Sequence, residues 1–149
     1  MAFSSTGIEP YLVASTVNIV VAQRLVRKIC QTCRVSLKLD TAQQKILAHQ
    51  KHIKEFLEAI GSKKLSDINF YKGTGCKVCN NTGYLGRLGI FELLTMSDDI
   101  KSLITKNATS GEISRQAQEQ GMKTIMQDGL EKVLNGQTTL EEVLRVAKE

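Results

Sequence analysis

Two short runs, Cys30-Gln31-Thr32-Cys33 and Cys76-Lys77-Val78-Cys79, contain every cysteine in the chain. Thiolates at this spacing can reach one metal ion at about 2.3 Å, and two such steps complete a tetrahedral shell of four sulfurs. That donor set suits Zn2+ best, with iron as the main rival. A closed shell leaves no coordination position for a substrate. Cys30, Cys33, Cys76 and Cys79 therefore read as ligands of a structural metal, a clip and not a catalyst. Two disulfides, or four unrelated core thiols, are the competing readings. Scattered core cysteines would not be expected to fall into two C-x2-C pairs. The 42 residues between the pairs exceed ordinary zinc-ribbon spacing, so an inserted element must separate the two knuckles.

Other chemistry is hard to find. His49 and His52 stand in the insert. Either could replace a cysteine in a Cys3His site, but four cysteines already fill the shell, and partly exposed helix histidines are the plainer reading. No two glycines are five positions apart, which excludes a G-x-x-x-x-G-K-[ST] phosphate loop. There is no H-E-x-x-H, no defensible Ser/His/Asp set and no repeat at solenoid periods. The residues present do not equip this chain for catalysis on its own.

The elements that must hold the knuckles are legible from periodicity. Ile8 to Ile29 reads as one helix, with Leu12, Val13, Val17, Val20, Val21 and Leu25 at helical spacing. Gly7 and Pro10 mark its start, and Arg24, Arg27 and Lys28 suit a helix C-terminus. A helix opening on a Thr41/Gln44 capping box and running to about Ile60 should fill the insert, with Gly61 as its stop. Asn69 to Lys72 reads as a short strand, residues 80–87 as turns, and Leu88 to Leu94 as a returning strand. Glycines beside the second knuckle should let backbone N–H groups face the sulfurs. From Ser97 onward four short helices follow, two of them opening on Thr109/Glu112 and Thr139/Glu142 boxes. Ile100, Leu103, Ile125, Met126, Leu130, Leu134, Leu140 and Leu144 should form the core of that tail.

The chain has 149 residues, enough for one domain or two small ones, with 42% apolar residues and a net charge of +5. Residues 1–95 carry a net +7 and residues 96–149 a net −2. Zn2+ on four thiolates would bring the first part near +5. Its basic surface suits nucleic acid, anionic lipid or an acidic protein face. Met1 to Ser5 has no basic n-region of a signal peptide, which points to a reducing cytosol. Tyr11 to Ala22 is too short and too polar to span a bilayer.

Four stretches together resemble the C-terminal part of the type II secretion and type IV pilus assembly ATPases. They are Gly7 to Ser15, Ala22 to Cys30, Gly75 to Cys79 with Gly83 to Glu92, and Gly121 to Thr124 with Asp128 to Leu130. The resemblance implies that Cys30, Cys33, Cys76 and Cys79 bind structural Zn2+. It implies a mostly α fold with a small β-hairpin zinc subdomain, at the end of a RecA-like ATPase domain. The expected division is 1–29 as the helical end of that ATPase domain, 30–95 as the zinc subdomain and 96–149 as a helical subdomain. The family's nucleotide motifs are absent, so the chain reads as a fragment of a longer protein, without catalytic residues of its own. ATP and Mg2+ would belong to the full-length parent, a cytoplasmic hexamer that works through an inner-membrane platform protein. Neither nucleic acid nor membrane insertion is implied. Whether the parent serves pili or secretion stays open. Two rivals remain beside this reading. One is a zinc-ribbon nucleic-acid-binding module, weakened by the lack of aromatics interleaved with basic residues. The other is a redox C-x2-C enzyme, weakened by the lack of a βαβ pattern.

Overall fold

The computed structural model describes residues 7–48, 53, 54, 57, 58 and 64–147. Its order is α1 (Pro10–Thr16), β1 (Ile19–Ile29), β2 (Arg34–Leu37), α2 (Thr41–Ala48), β3 (Phe70–Gly73), β4 (Tyr84–Thr95), α3 (Asp98–Thr105), α4 (Ser110–Glu119), α5 (Ile125–Leu134) and α6 (Leu140–Ala147). Each knuckle carries a short 3-10 turn, Gln31–Cys33 or Lys77–Cys79. The fold is mixed α/β and not mostly α.

The difference lies chiefly at the front of the chain. The single helix expected over Ile8 to Ile29 is a two-turn helix followed by an eleven-residue strand. Pro10 does open α1, where its missing N–H costs nothing. The helix stops because Ser15 and Thr16 both turn their hydroxyls back onto the Leu12 carbonyl, at 3.2 and 2.6 Å. Beyond it, Val17, Ile19, Val20 and Val21 are β-branched and favour extended backbone over another helical turn. Their spacing fits a helix, but their stiffness at χ1 decides the outcome.

β1 pairs with β4, and β2 pairs antiparallel with β3 in the register Arg34↔Gly73, Val35↔Lys72, Ser36↔Tyr71 and Leu37↔Phe70. The expected strand at Asn69 to Lys72 is thus present as β3. Its partner is β2, which the sequence reading passed over, and not the returning strand. That strand is β4, which begins at Tyr84 and not at Leu88. At α2, Gln44 donates its side-chain amide to the Leu39 carbonyl at 2.8 Å, and Thr41 is already helical. The expected Thr41/Gln44 box does not form. Ile53 and Leu57 lie in helical backbone and pack into the core. The expected positions of His49, His52, Phe56, Ile60 and Gly61 lie outside the described residues.

The chain forms two compact units. The first joins Met1–Ala22 to Phe91–Thr124. In it α1 packs on α3, and α3 on α4, around Val13, Met96, Ile100, Ile104, Ile113 and Ala117. Ser97 caps α3 by accepting the Ile100 N–H. The Thr109/Glu112 capping box opens α4 as expected, each side chain bonded to the other's backbone N–H.

The second unit joins Gln23–Ile90 to Ile125–Glu149. Here α5 packs on α6 and on β3. Leu47, Ile53, Leu65, Phe70, Leu130 and Val143 belong to its core. The tail core expected from sequence is therefore split. Ile100 and Leu103 belong to the first cluster, whereas Met126, Leu130, Leu134, Leu140 and Leu144 belong to the second. Helical periodicity shows that a face is apolar without naming the core that it joins.

Candidate metal centre

The first knuckle hangs between β1 and β2, the second between β3 and β4. The β2–β3 register sets Arg34 opposite Gly73, so the two cysteine pairs start from neighbouring strand ends. Backbone bonds tie the loops together further. Cys30 N–H donates to the Gly83 carbonyl at 3.0 Å and Thr74 N–H to the Cys33 carbonyl at 3.0 Å. A Cβ on Gly73 would lie 2.0 Å from the Gly83 oxygen, so only glycine permits this approach. Asn80 and Asn81 take left-handed backbone in succession, with φ of 49° and 60°. Asparagine is among the few L-residues that visit this region routinely. That turn brings Asn81 N–H onto the Cys76 carbonyl at 2.9 Å and closes the loop over its own knuckle.

All four cysteines are free, and their sulfurs lie within 4.8 Å of one another. The separations are 3.9 Å for Cys30–Cys76, 3.8 Å for Cys33–Cys79 and 3.7 Å for Cys76–Cys79. A tetrahedron with bonds of about 2.3 Å has edges of about 3.8 Å. The cluster is thus already close to the shape that a zinc-sized tetrahedral ion requires, and the four sulfurs could hold one such ion. Among the described residues no other group of histidine, cysteine or carboxylate side chains gathers in this way.

Backbone N–H groups around the sulfurs favour thiolate. Cys79 Sγ accepts from Cys76 N–H at 3.2 Å and from Gly83 N–H at 3.3 Å. Burial pushes the Cys79 thiol up, but these donors, together with the Cys76 and Cys33 thiols, outweigh it and hold the thiol down at about 6. Burial also opposes ionisation of Cys30, where the N–H groups of Thr32 and Cys33 bring its pKa below the ordinary thiol value. Cys33 is pushed up to about 11 by burial, against the pull of the Gly75 N–H. Of the glycines beside the second knuckle, Gly83 turns its N–H toward a sulfur as expected.

A second polar cluster lies in the same unit, and sequence reading missed it. Glu142, only 2% exposed, accepts from the Arg27 backbone N–H at 2.9 Å and from Arg27 Nη2 at 3.0 Å. Arg145 grips the same carboxylate through Nε at 3.1 Å and Nη2 at 2.9 Å. The Arg145 bonds, with those from Arg27, outweigh burial and hold the Glu142 carboxyl down at about 2. Arg27 also lies over the Tyr84 ring, 4.1 Å from its centre, and the Tyr84 hydroxyl meets Thr139 Oγ1 at 3.0 Å. Thr139 does cap α6 through the Glu142 N–H at 3.4 Å. The expected return bond from the Glu142 carboxylate goes to the arginines instead. The Glu142/Arg145 spacing was a usable signal. Arg27 carries no such signal, because it lies 115 residues from Glu142 and on a strand rather than the expected helix.

These features define a class: a lobe in which two loops, each at the junction of two strands, present four convergent thiols. A family model described as "Type II/IV secretion system protein" matches residues 2–145, nearly the whole chain. The chain belongs to that family. It is 40% identical over 147 residues to the type II secretion system ATPase E of Vibrio cholerae, covering 96% of this chain and 26% of that protein. It is 39% identical over 140 residues to the type IV pilus assembly ATPase PilB of Thermus thermophilus, covering 93% of this chain and 14% of that one. A PilB of Myxococcus xanthus is 34% identical over 138 residues, covering 93% and 23%. The chain thus spans about a quarter or less of the length of these relatives.

Proposed function

We propose that this chain is the metal-clipped C-terminal part of a hexameric traffic ATPase that powers type IV pilus assembly or type II protein secretion. The observation that carries the reading is the tetracysteine cluster, found in a chain whose relatives at 34–40% identity are named as pilus and secretion ATPases. Cys30, Cys33, Cys76 and Cys79 hold one Zn2+, which supplies fixed tetrahedral geometry and no chemistry on a substrate. The division at 29/30 and 95/96 stands for the order of segments along the parent's chain, end of the ATPase domain, zinc subdomain and helical segment, with residues 125–149 of the last folding back onto the cysteine-bearing unit. ATP and Mg2+ bind elsewhere in the parent.

The partner is the inner-membrane platform protein of the machine, reached from the cytoplasm. No helix among the described residues is long and apolar enough to cross a membrane. Positive charge is available for an acidic partner face, because Lys54, Lys72 and Lys77 are exposed in the cysteine-bearing unit. Lys51 and Lys63, in the same segment, lie outside the described residues.

Two measurements test this reading. Reduced protein purified without chelator should contain one zinc per chain, and folded protein free of metal would end the zinc assignment. In the full-length parent, Cys76→Ser should abolish pilus or secretion output. Normal output from a parent shown to have lost its metal would mean that the clip has no part in the machine.

A further inference from the structure

The loop between α5 and α6 is gripped from both sides of the cysteine cluster. Arg34, next to Cys33, donates through Nη1 to the Gly136 carbonyl at 3.3 Å. Ile29, next to Cys30, donates its N–H to the Gln137 carbonyl at 2.9 Å. Thr138, fully buried, donates its hydroxyl to the Arg27 carbonyl at 2.8 Å. Tyr84 follows Gly83, whose N–H touches the Cys79 sulfur and whose carbonyl takes the Cys30 N–H. The Tyr84 hydroxyl then bonds Thr139, and the Arg27 backbone N–H and side chain bond Glu142 in the first turn of α6. Residues flanking both knuckles thus hold successive positions of one loop. Each bond to this loop spans 55 residues of sequence or more, so together they tie the loop to the knuckles in addition to the apolar core that α5 and α6 share with Phe70.

We propose that this loop is a latch: the closed tetracysteine cluster holds α5 and α6 in place through Gly136 to Thr139, and opening the cluster frees residues 125–147 while α3 and α4 keep their structure. α3 and α4 have their own core, built on Ile100, Ile104, Ile113 and Ala117. The latch rests on the four cysteines acting as one cluster, as the proposed function does, but not on which metal they hold.

Hydrogen exchange followed by mass spectrometry on the whole chain tests this, comparing the parent sequence with Cys76→Ser and measuring metal in both. Exchange across residues 125–147 should quicken by about tenfold or more in the variant, while residues 98–119 change by less than about twofold. Unchanged protection across 125–147 would overturn the latch, since the apolar core would then suffice. Equal loss across 98–119 would overturn its selectivity. The reverse direction supplies a second measurement that keeps every cysteine. Coupling is reciprocal, so Thr138→Val combined with Tyr84→Phe should weaken retention of Zn2+ against a competing chelator by about tenfold. Retention equal to the parent's would also overturn the latch. If the parent sequence holds no metal at all, the zinc assignment falls, and the exchange comparison alone judges the latch.

Discussion

Glu142 is a buried carboxylate gripped by two arginines. Its carboxyl is held at about 2, against about 4.3 for an unfolded chain. A depressed carboxylate contributes stability that is fully present above its unfolded value and is lost as pH falls toward its folded value. The contribution should therefore disappear between about pH 4.5 and pH 2. Full burial of all partners would make the shift worth about 3 kcal/mol. Arg27 and Arg145 are 55% and 58% exposed, so solvent screens the pairs and about 1–2 kcal/mol is expected. Glu142→Gln should lower stability by that amount at pH 7 and by almost nothing at pH 2, read from denaturant midpoints. Equal losses at both pH values would mean that the carboxylate charge plays no part. Gly83 is constrained for another reason. Its φ is +76°, and an added Cβ would lie 2.6 Å from the Gly73 oxygen. Gly83→Ala should cost roughly 2–4 kcal/mol from left-handed strain and crowding together. A denaturation midpoint matching the parent's would show that the two loops can move apart without penalty.

At the scale of elements, α5 is held to the second unit by Leu130 and Val133, each 1% exposed. Leu130→Ala should cost roughly 2–5 kcal/mol, because it removes a fully buried side chain and leaves a cavity among Phe70, Leu47 and Val143. A loss below about 0.5 kcal/mol would show that the helix is not held by this face. The elements also show what the sequence could and could not disclose. Caps are local, and Ser97 and Thr109 bond within their own first turn, so the Thr109/Glu112 box and the starts of α3 and α4 were readable. The C-x2-C spacing is local too, and the convergence of the four cysteines followed from donor chemistry. β1 was misread because Val17 to Val21 satisfies helical spacing, while its β-branched character favours a strand. β2 was missed because a four-residue strand beside a knuckle has no periodicity to count. The Arg27–Glu142 bond could not be read at all, since it joins residues 115 positions apart with no spacing rule between them.

At the scale of the whole molecule, the absent phosphate loop matters most. The chain lacks the backbone N–H groups and lysine by which that motif holds a triphosphate. The purified chain should neither bind ATP tightly nor hydrolyse it above a mock preparation, measured by phosphate release, and clear turnover would contradict its reading as a non-catalytic part. The unit that carries the cysteines is also discontinuous, since residues 91–124 of the chain belong to the other unit. A ribosome delivers residues in order, at roughly 5–20 per second. Both knuckles therefore emerge well before the helices that complete their unit, and during that interval Phe70, Leu65 and Ile68 lack Leu130, Val133 and Val143 as neighbours. Non-local closures of this kind are the slow ones in folding. Synthesis arrested before residue 125 should leave an apolar, strand-bearing intermediate that recruits chaperones, whereas arrest after residue 147 has cleared the ribosomal tunnel should not. The order of translation thus makes α5 and α6 the step on which maturation of the cysteine-bearing unit waits.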